Sequence, residues 1–286
     1  MVEVTAASRG APARDDVTTI EVRLLLEAIY ERYGYDLRGY AASSIGRRVH
    51  VALARSGLPD LGALQHRVLT DPDAFARVLG DLTVQVTGLF RDPDFYRAIR
   101  ERVVPMLRTY PLINVWLAGC ATGEEAYSMA ILLRDEGLYE RSQIYATDLS
   151  AAALERAKEG VFPAEDLAAI VDGYGRSGGG GTLEAHATVA YGQLAIKESL
   201  RRNILFFQHD LVSDHVFGEM QVVFCRNVLI YFGHALRDRV MRKLCESLCS
   251  GGFLCLGASE RMGADGREPF SELAPNERIY RRKGAL

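Results

Sequence analysis

The residues of this chain whose types and spacing could do chemistry stand just after short apolar runs. Gly119, Gly123, Glu124 and Glu125 follow Val115-Trp116-Leu117-Ala118, and Asp148 closes the run over residues 143–147. Asp210 and Leu211 come after residues 204–208, and Arg226-Asn227 ends residues 222–225, with Tyr231 shortly beyond. Open α/β sheets bind ligands at the carboxyl ends of their strands, so these positions share one edge if the runs are neighbouring strands.

Glycine spacing decides between ligands. A dinucleotide fingerprint needs G-x-G-x-x-G, whereas here Gly119 and Gly123 stand four apart and two carboxylates follow. Adjacent glutamates at a helix start repel a pyrophosphate and favour a cationic ligand, such as the amino group and sulfonium of S-adenosylmethionine. A single glutamate there equally serves the helix itself. Asp148, at the end of the second strand, is placed to accept hydrogen bonds from ribose hydroxyls, a role preferred over a plain helix start. Asp210 with the amide after it suits the polar edge of an adenine ring, or a simple turn. Arg226-Asn227 and Tyr231 fit either the ligand edge or a capped turn with a packed tyrosine.

The elements that must hold these residues are also readable. Each run is short and nearly continuous, as in strands buried on both faces of a parallel sheet. After the glycine turn, Ala126, Met129, Ala130 and Leu133 recur at helical spacing. Ser150 caps a helix through Lys158 that stops at Gly160. The pattern loosens over 172–202, where glycines 178–181 precede a small hairpin, 187–190 with 194–196. A helix is expected over 235–249, then strands over 253–256 and 277–282.

Before the sheet, the sequence is helical. Thr18 and Glu21 resemble a capping box, Gly34 a stop; a second helix spans 44–56, ending at Gly57; a third follows Asp60. The second helix displays Arg47, Arg48 and Arg55, a basic cluster for an acidic partner helix or a solvated face. In the next segment, Gln85, Thr87 and Arg91 fit either a plain linker before a capped helix, which spacing alone favours, or a segment crossing toward the glycine turn. Asp92-Pro93 opens a helix that should end near Pro105. The expected division is a disordered lead-in over 1–17, an all-helical domain over 18–80, a linker with a connecting helix over 81–111, and an α/β domain over 112–286, with an inserted β-subdomain at about 173–197.

Composition narrows the function classes. The 286 residues are 48% hydrophobic and 25% charged with a net charge of −3, so nothing in the balance draws the chain to nucleic acid. No apolar run approaches the ~20 residues of a membrane span. Cys120, Cys225, Cys245, Cys249 and Cys255 form no CxxC pair and lie mostly in apolar segments, as free thiols in a reducing cytoplasm do. No metal set is expected, and the chain is expected to act as a monomer.

Taken together, VQVTGLFRD, AGCATGEEAYSMAILL, ATDLS, QHDL, CRNVLIYF and GGFLCLGASE, in that order, resemble the chemotaxis protein-glutamate O-methyltransferases, the CheR family. The resemblance implies an all-α N-terminal domain and an α/β, Rossmann-like S-adenosylmethionine methyltransferase domain with a small β-subdomain. It implies cofactor contacts at Thr87, Arg91, Glu124, Glu125, Asp148, Asp210, Leu211, Arg226 and Asn227, with Gly119, Gly123 and Gln85 beside them. It places Tyr231 and Arg91 at the methyl-transfer site, and it implies a chemoreceptor or related signalling protein as partner. Gln85, Leu89 and Ala258 stand where the family usually has asparagine, phenylalanine and histidine. Two rivals are a nicotinamide oxidoreductase, opposed by the missing third glycine, and a non-catalytic module that senses the cofactor and binds an acidic partner.

Overall fold

The computed structural model describes residues 16–83, 87–216, 218–263 and 269–284. The lead-in expected over 1–17 falls largely on 1–15, outside the described residues, as does Gln85. Four helices form the N-terminal unit: α1 (Val17–Tyr33), α2 (Ala42–Ser56), α3 (Leu61–Thr70) and α4 (Pro72–Leu82). Asp16, not Thr18, caps α1 by accepting the Thr19 N–H. The fourth helix, which the sequence expectation omits, has its own start signal: Asp71 ends α3 and caps α4 at once, with Pro72 in the first turn, as Asp92-Pro93 does for the next helix. Leu25, Ile29, Val49, Leu64 and Val78 fill the core between them.

A connecting helix follows, α5 (Pro93–Ala98), a π turn (Ile99–Val103) and α6 (Val104–Leu107). It passes the expected stop at Pro105. Proline has no N–H to give, and the π turn before it, where the Val104 N–H reaches the Ile99 carbonyl, shifts the ladder so that the ring is tolerated.

The remaining elements are β1 (Ile113–Ala118), α7 (Glu124–Asp135), β2 (Ser142–Asp148), α8 (Ala151–Glu159), β3 (Val161–Pro163), α9 (Leu167–Arg176), β4 (Ala187–Ala190), β5 (Gln193–Ile196), β6 (Ile204–Gln208), β7 (Met220–Cys225), α10 (His234–Glu246), β8 (Leu248–Leu256), β9 (Phe270–Ala274) and β10 (Ile279–Arg282). The main sheet runs β6-β2-β1-β7-β8-β10-β9. Its first five strands are parallel, and β10 runs against them, pairing antiparallel with both β8 and β9. Along β1, Ile113, Val115 and Leu117 enter one core while Trp116 and Ala118 enter the other, so both faces are covered.

Three boundaries differ from the sequence expectation. The helix expected to 249 ends at Glu246, and Cys249 belongs to β8, because apolar character alone does not separate a helix end from a buried strand. β9 was not anticipated. The small sheet, ordered β3-β5-β4, takes its outer strand from Val161–Pro163, so the inserted unit begins before 173 and contains α9. Three residues are too few for alternation to show.

Candidate functional site

One cleft lies over the carboxyl ends of β2, β1 and β7, occupying about 1120 Å³ counted to its open mouth. Gly119 (φ +82°) makes its floor possible: a Cβ there would stand 2.4 Å from Val228 Cγ2. Its N–H and that of Cys120 donate to the Thr147 carbonyl at 2.8 and 2.9 Å, tying the turn to β2. Gly123 (φ +95°) does something else. A Cβ there would meet Ala157 Cβ at 2.8 Å, so this glycine lets α7 and α8 pack, and it does not line the cleft.

The two glutamates separate. Glu124 turns away to accept the Thr122 hydroxyl at 2.7 Å, and burial pushes its carboxyl up. Glu125 lines the cleft, its carboxylate 2.6 Å from Arg226 Nη1. The Arg226 side chain is 4% exposed; its other nitrogen, Nη2, lies 2.8 Å from Asp92, and its guanidinium sits 3.9 Å over the Phe95 ring. One arginine therefore locks the end of β7 to α7 and to the segment leading into α5.

Asp148 lines the cleft with both oxygens engaged from one side, accepting the Ala121 N–H at 2.8 Å and the Ser150 N–H at 2.9 Å. Burial pushes its carboxyl up. Asp210 accepts the Val212 N–H at 2.8 Å and the Ser213 hydroxyl at 3.0 Å, and burial raises it too. Lys243 Nζ donates to the Leu211 and Val212 carbonyls at 3.2 and 2.9 Å and to that of Asp214, so α10 pins this loop.

Thr87, Arg91, Asn227 and Tyr231 also line the cleft. Arg91 stands between two left-handed residues, Phe90 (φ +52°) and Asp92 (φ +60°), a conformation that costs about 1–2 kcal/mol per non-glycine residue and so needs outside support. The Phe90 N–H donation to Ser128 Oγ at 2.8 Å supplies some of it. Burial raises the Tyr231 phenol, while Arg48 and Arg91 pull it down; the Arg48 guanidinium lies 5.2 Å from the ring centre. Of the expected partner-binding arginines, Arg48 thus reaches the mouth, exposed Arg47 adds its field there, and Arg55 pairs with Asp81 instead.

The helical unit also contributes Tyr40, which nothing in the sequence marks. It lies edge-on to Phe232 at 5.0 Å, and the Ala41 N–H donates to the Tyr231 carbonyl at 2.8 Å, so this segment closes one wall. A contact across some 190 positions leaves no local spacing signal.

The cleft fits an adenosyl cofactor with a cationic tail: glycine-floored, with a carboxylate at the end of the second strand and another at the helix start. The model of the CheR methyltransferase SAM-binding domain matches residues 85–277, and that of the CheR all-alpha domain residues 20–83. The chain is 48% identical over 266 residues to putative methyltransferase Cher3 of Pseudomonas putida, covering 93% of this chain and 97% of that one. It is 30% identical over 234 residues to chemotaxis protein methyltransferase Cher2 of the same organism (76% and 82% covered), and 29% over 233 to the chemotaxis protein methyltransferase of Listeria monocytogenes (80% and 85%). Among the described residues no helix is long and apolar enough to cross a membrane. With S-adenosylmethionine as its cofactor, the chain belongs to the CheR methyltransferase family.

Proposed function

We propose that the chain transfers the methyl group of S-adenosylmethionine to glutamate side-chain carboxylates of a chemoreceptor or related signalling protein, leaving glutamyl methyl esters and S-adenosylhomocysteine. The observation that carries this reading is the grouping of Arg48, Arg91 and Tyr231 at the mouth of the cleft, with exposed Arg47 beyond them. Cations around the reaction mouth suit an anionic acceptor. Arg48 Nη1 donates to the Thr83 carbonyl at 3.4 Å, which holds its guanidinium beside the Tyr231 ring. The names of the chemotaxis relatives agree.

The chemistry asks for no general base. A glutamate carboxyl has an ordinary pKa of about 4.3, so at neutral pH its oxygen is already nucleophilic. Bound S-adenosylmethionine supplies a methyl carbon that this oxygen attacks in line; the O–C bond forms as the S–C bond breaks, and sulfur keeps the electron pair. In this reading Glu125 holds the cationic tail, Asp148 the ribose hydroxyls, and Asp210 with the Leu211 amide the adenine edge. Thr87 and Asn227 flank the tail. Arg91 steers the incoming carboxylate, and Tyr231 orients it beside the methyl path. Alignment of this kind contributes about 7–11 kcal/mol. Arg47 and Arg48 on α2 select an acidic partner helix.

The test uses methyl-labelled cofactor with membranes from the protein's own cell. Label on a protein band that alkali releases as methanol, mapped to glutamate, is expected. Label that survives alkali contradicts a carboxylate acceptor.

A further inference from the structure

Behind the cleft lies a buried carboxylate that does not line it. Glu260 is 4% exposed, and its two oxygens gather backbone donors from both sides of a turn. Oε2 accepts the Gly257 N–H at 2.6 Å and the Asn227 N–H at 2.9 Å. Oε1 accepts the Val228 N–H at 2.9 Å and the Ile230 N–H at 3.3 Å. Among the described residues no lysine, arginine or histidine forms an ion pair with it. Peptide dipoles alone offset its charge, as in an anion nest.

The turn it holds is the one that lines the cleft. Asn227 is left-handed (φ +61°), a conformation that asparagine enters more readily than other non-glycine residues, and the N–H contacts of residues 227 and 228 with Glu260 fix the turn there. Beyond it, the 3-10 turn Leu229–Tyr231 points Tyr231 at the mouth. Gly257, at the end of β8, is shaped for the same contact: a Cβ there would lie 2.7 Å from Glu260 Oε2 and 2.8 Å from the Asn227 nitrogen. Only a glycine lets the carboxylate and the turn meet.

We propose that Glu260 is a positioning residue for cofactor binding: by collecting the N–H groups of residues 227, 228, 230 and 257, it sets the turn that presents Asn227 and Tyr231 to the cleft. The proposal concerns the cofactor alone and stands whichever carboxylate is methylated.

E260Q keeps the shape but turns an amide NH₂ toward one pair of these donors, which then face a donor instead of an acceptor. S-adenosylhomocysteine is titrated calorimetrically into the wild type and E260Q, at a temperature where melting curves show both fully folded. A merely structural role lowers the melting temperature and leaves the affinity of the folded protein intact. A positioning role weakens that affinity tenfold or more and moves the Asn227 and Gly257 amide proton resonances upfield. A smaller loss overturns the proposal. If E260Q does not fold, E260D, which keeps the charge but is one methylene too short to reach both pairs of N–H groups, is held to the same tenfold threshold. In the wild type, the Asn227 amide is expected to exchange slowly with solvent because it donates to Glu260; free exchange there overturns the proposal without any variant.

Discussion

Replacing Arg226 by methionine isolates the ionic knot that holds the cleft together. The Arg226 side chain is 4% exposed and Glu125 15%, so their 2.6 Å contact is a buried pair; Asp92, at 46%, is half in solvent. Removing one partner of a buried pair strands the other charge, at about 3–5 kcal/mol, whereas a pair with an exposed partner contributes about 0–1 kcal/mol. Methionine still reaches the Phe95 ring, which limits the packing loss. R226M is therefore expected to lose about 3–5 kcal/mol, nearly all of it through Glu125. At about 2–4 °C per kcal/mol for a chain of somewhat smaller size, the melting temperature falls by roughly 6–20 °C. Urea unfolding of the wild type, R226M, E125Q and the double variant closes the cycle. The double variant is expected to recover about 2 kcal/mol over R226M, since no buried charge is then left unpaired and half-exposed Asp92 stays solvated. An R226M protein within about 1 kcal/mol of wild type, or a double variant no more stable than R226M, refutes the assignment of this pair as the lock.

Three other outcomes follow from the same geometry. K243M frees the 211–214 loop from α10, so S-adenosylhomocysteine affinity measured by calorimetry should fall several-fold, with a smaller change in melting temperature. Ionised Asp148 is the stronger acceptor for ribose hydroxyls, and burial raises its pKa above the ordinary 3.8; cofactor affinity therefore weakens as pH falls through that raised value, earlier than for an exposed aspartate. Its folded pKa being the higher one, its contribution to apo stability runs the other way, present at low pH and lost as pH rises through it. D148N should weaken binding at neutral pH by about 1.5–3 kcal/mol and remove this residue's share of the acid dependence, both read in a pH series of titrations. R91A should lower methyl turnover more than Y231F in a labelled-methyl assay, because a charge that steers the acceptor is lost in one and only a hydroxyl in the other.

The strand ends and the glycine turn were readable because a buried parallel strand is a continuous apolar run and its polar terminus stands out against it. Gly119, Glu125, Asp148, Asp210 and Arg226 follow from that rule, and the sheet brings them to one edge. Adjacent residues of similar type could not be told apart. Gly123 and Glu124 are as close to the turn as Gly119 and Glu125, yet one spaces two helices and the other faces a threonine, a distinction set by the rotation of α7 and not by composition. Tyr40 and Glu260 act through contacts made only on folding, between a loop of the helical unit and the β7 turn in one case and across two strand ends in the other. The basic helix looked uniform, but Arg55 finds Asp81 while Arg48 finds Tyr231, because residues seven apart on a helix meet different neighbours along its length.

The cleft is expected to hold S-adenosylmethionine with its methyl carbon directed at the arginine-lined mouth. Nuclear Overhauser contacts from cofactor labelled with ¹³C at that methyl test it directly. They are predicted to reach the ring protons of Tyr231 and the side chain of Arg91. Contacts to Leu149 and Leu211 instead, with none to Tyr231, would place the methyl at the adenine end and contradict the account.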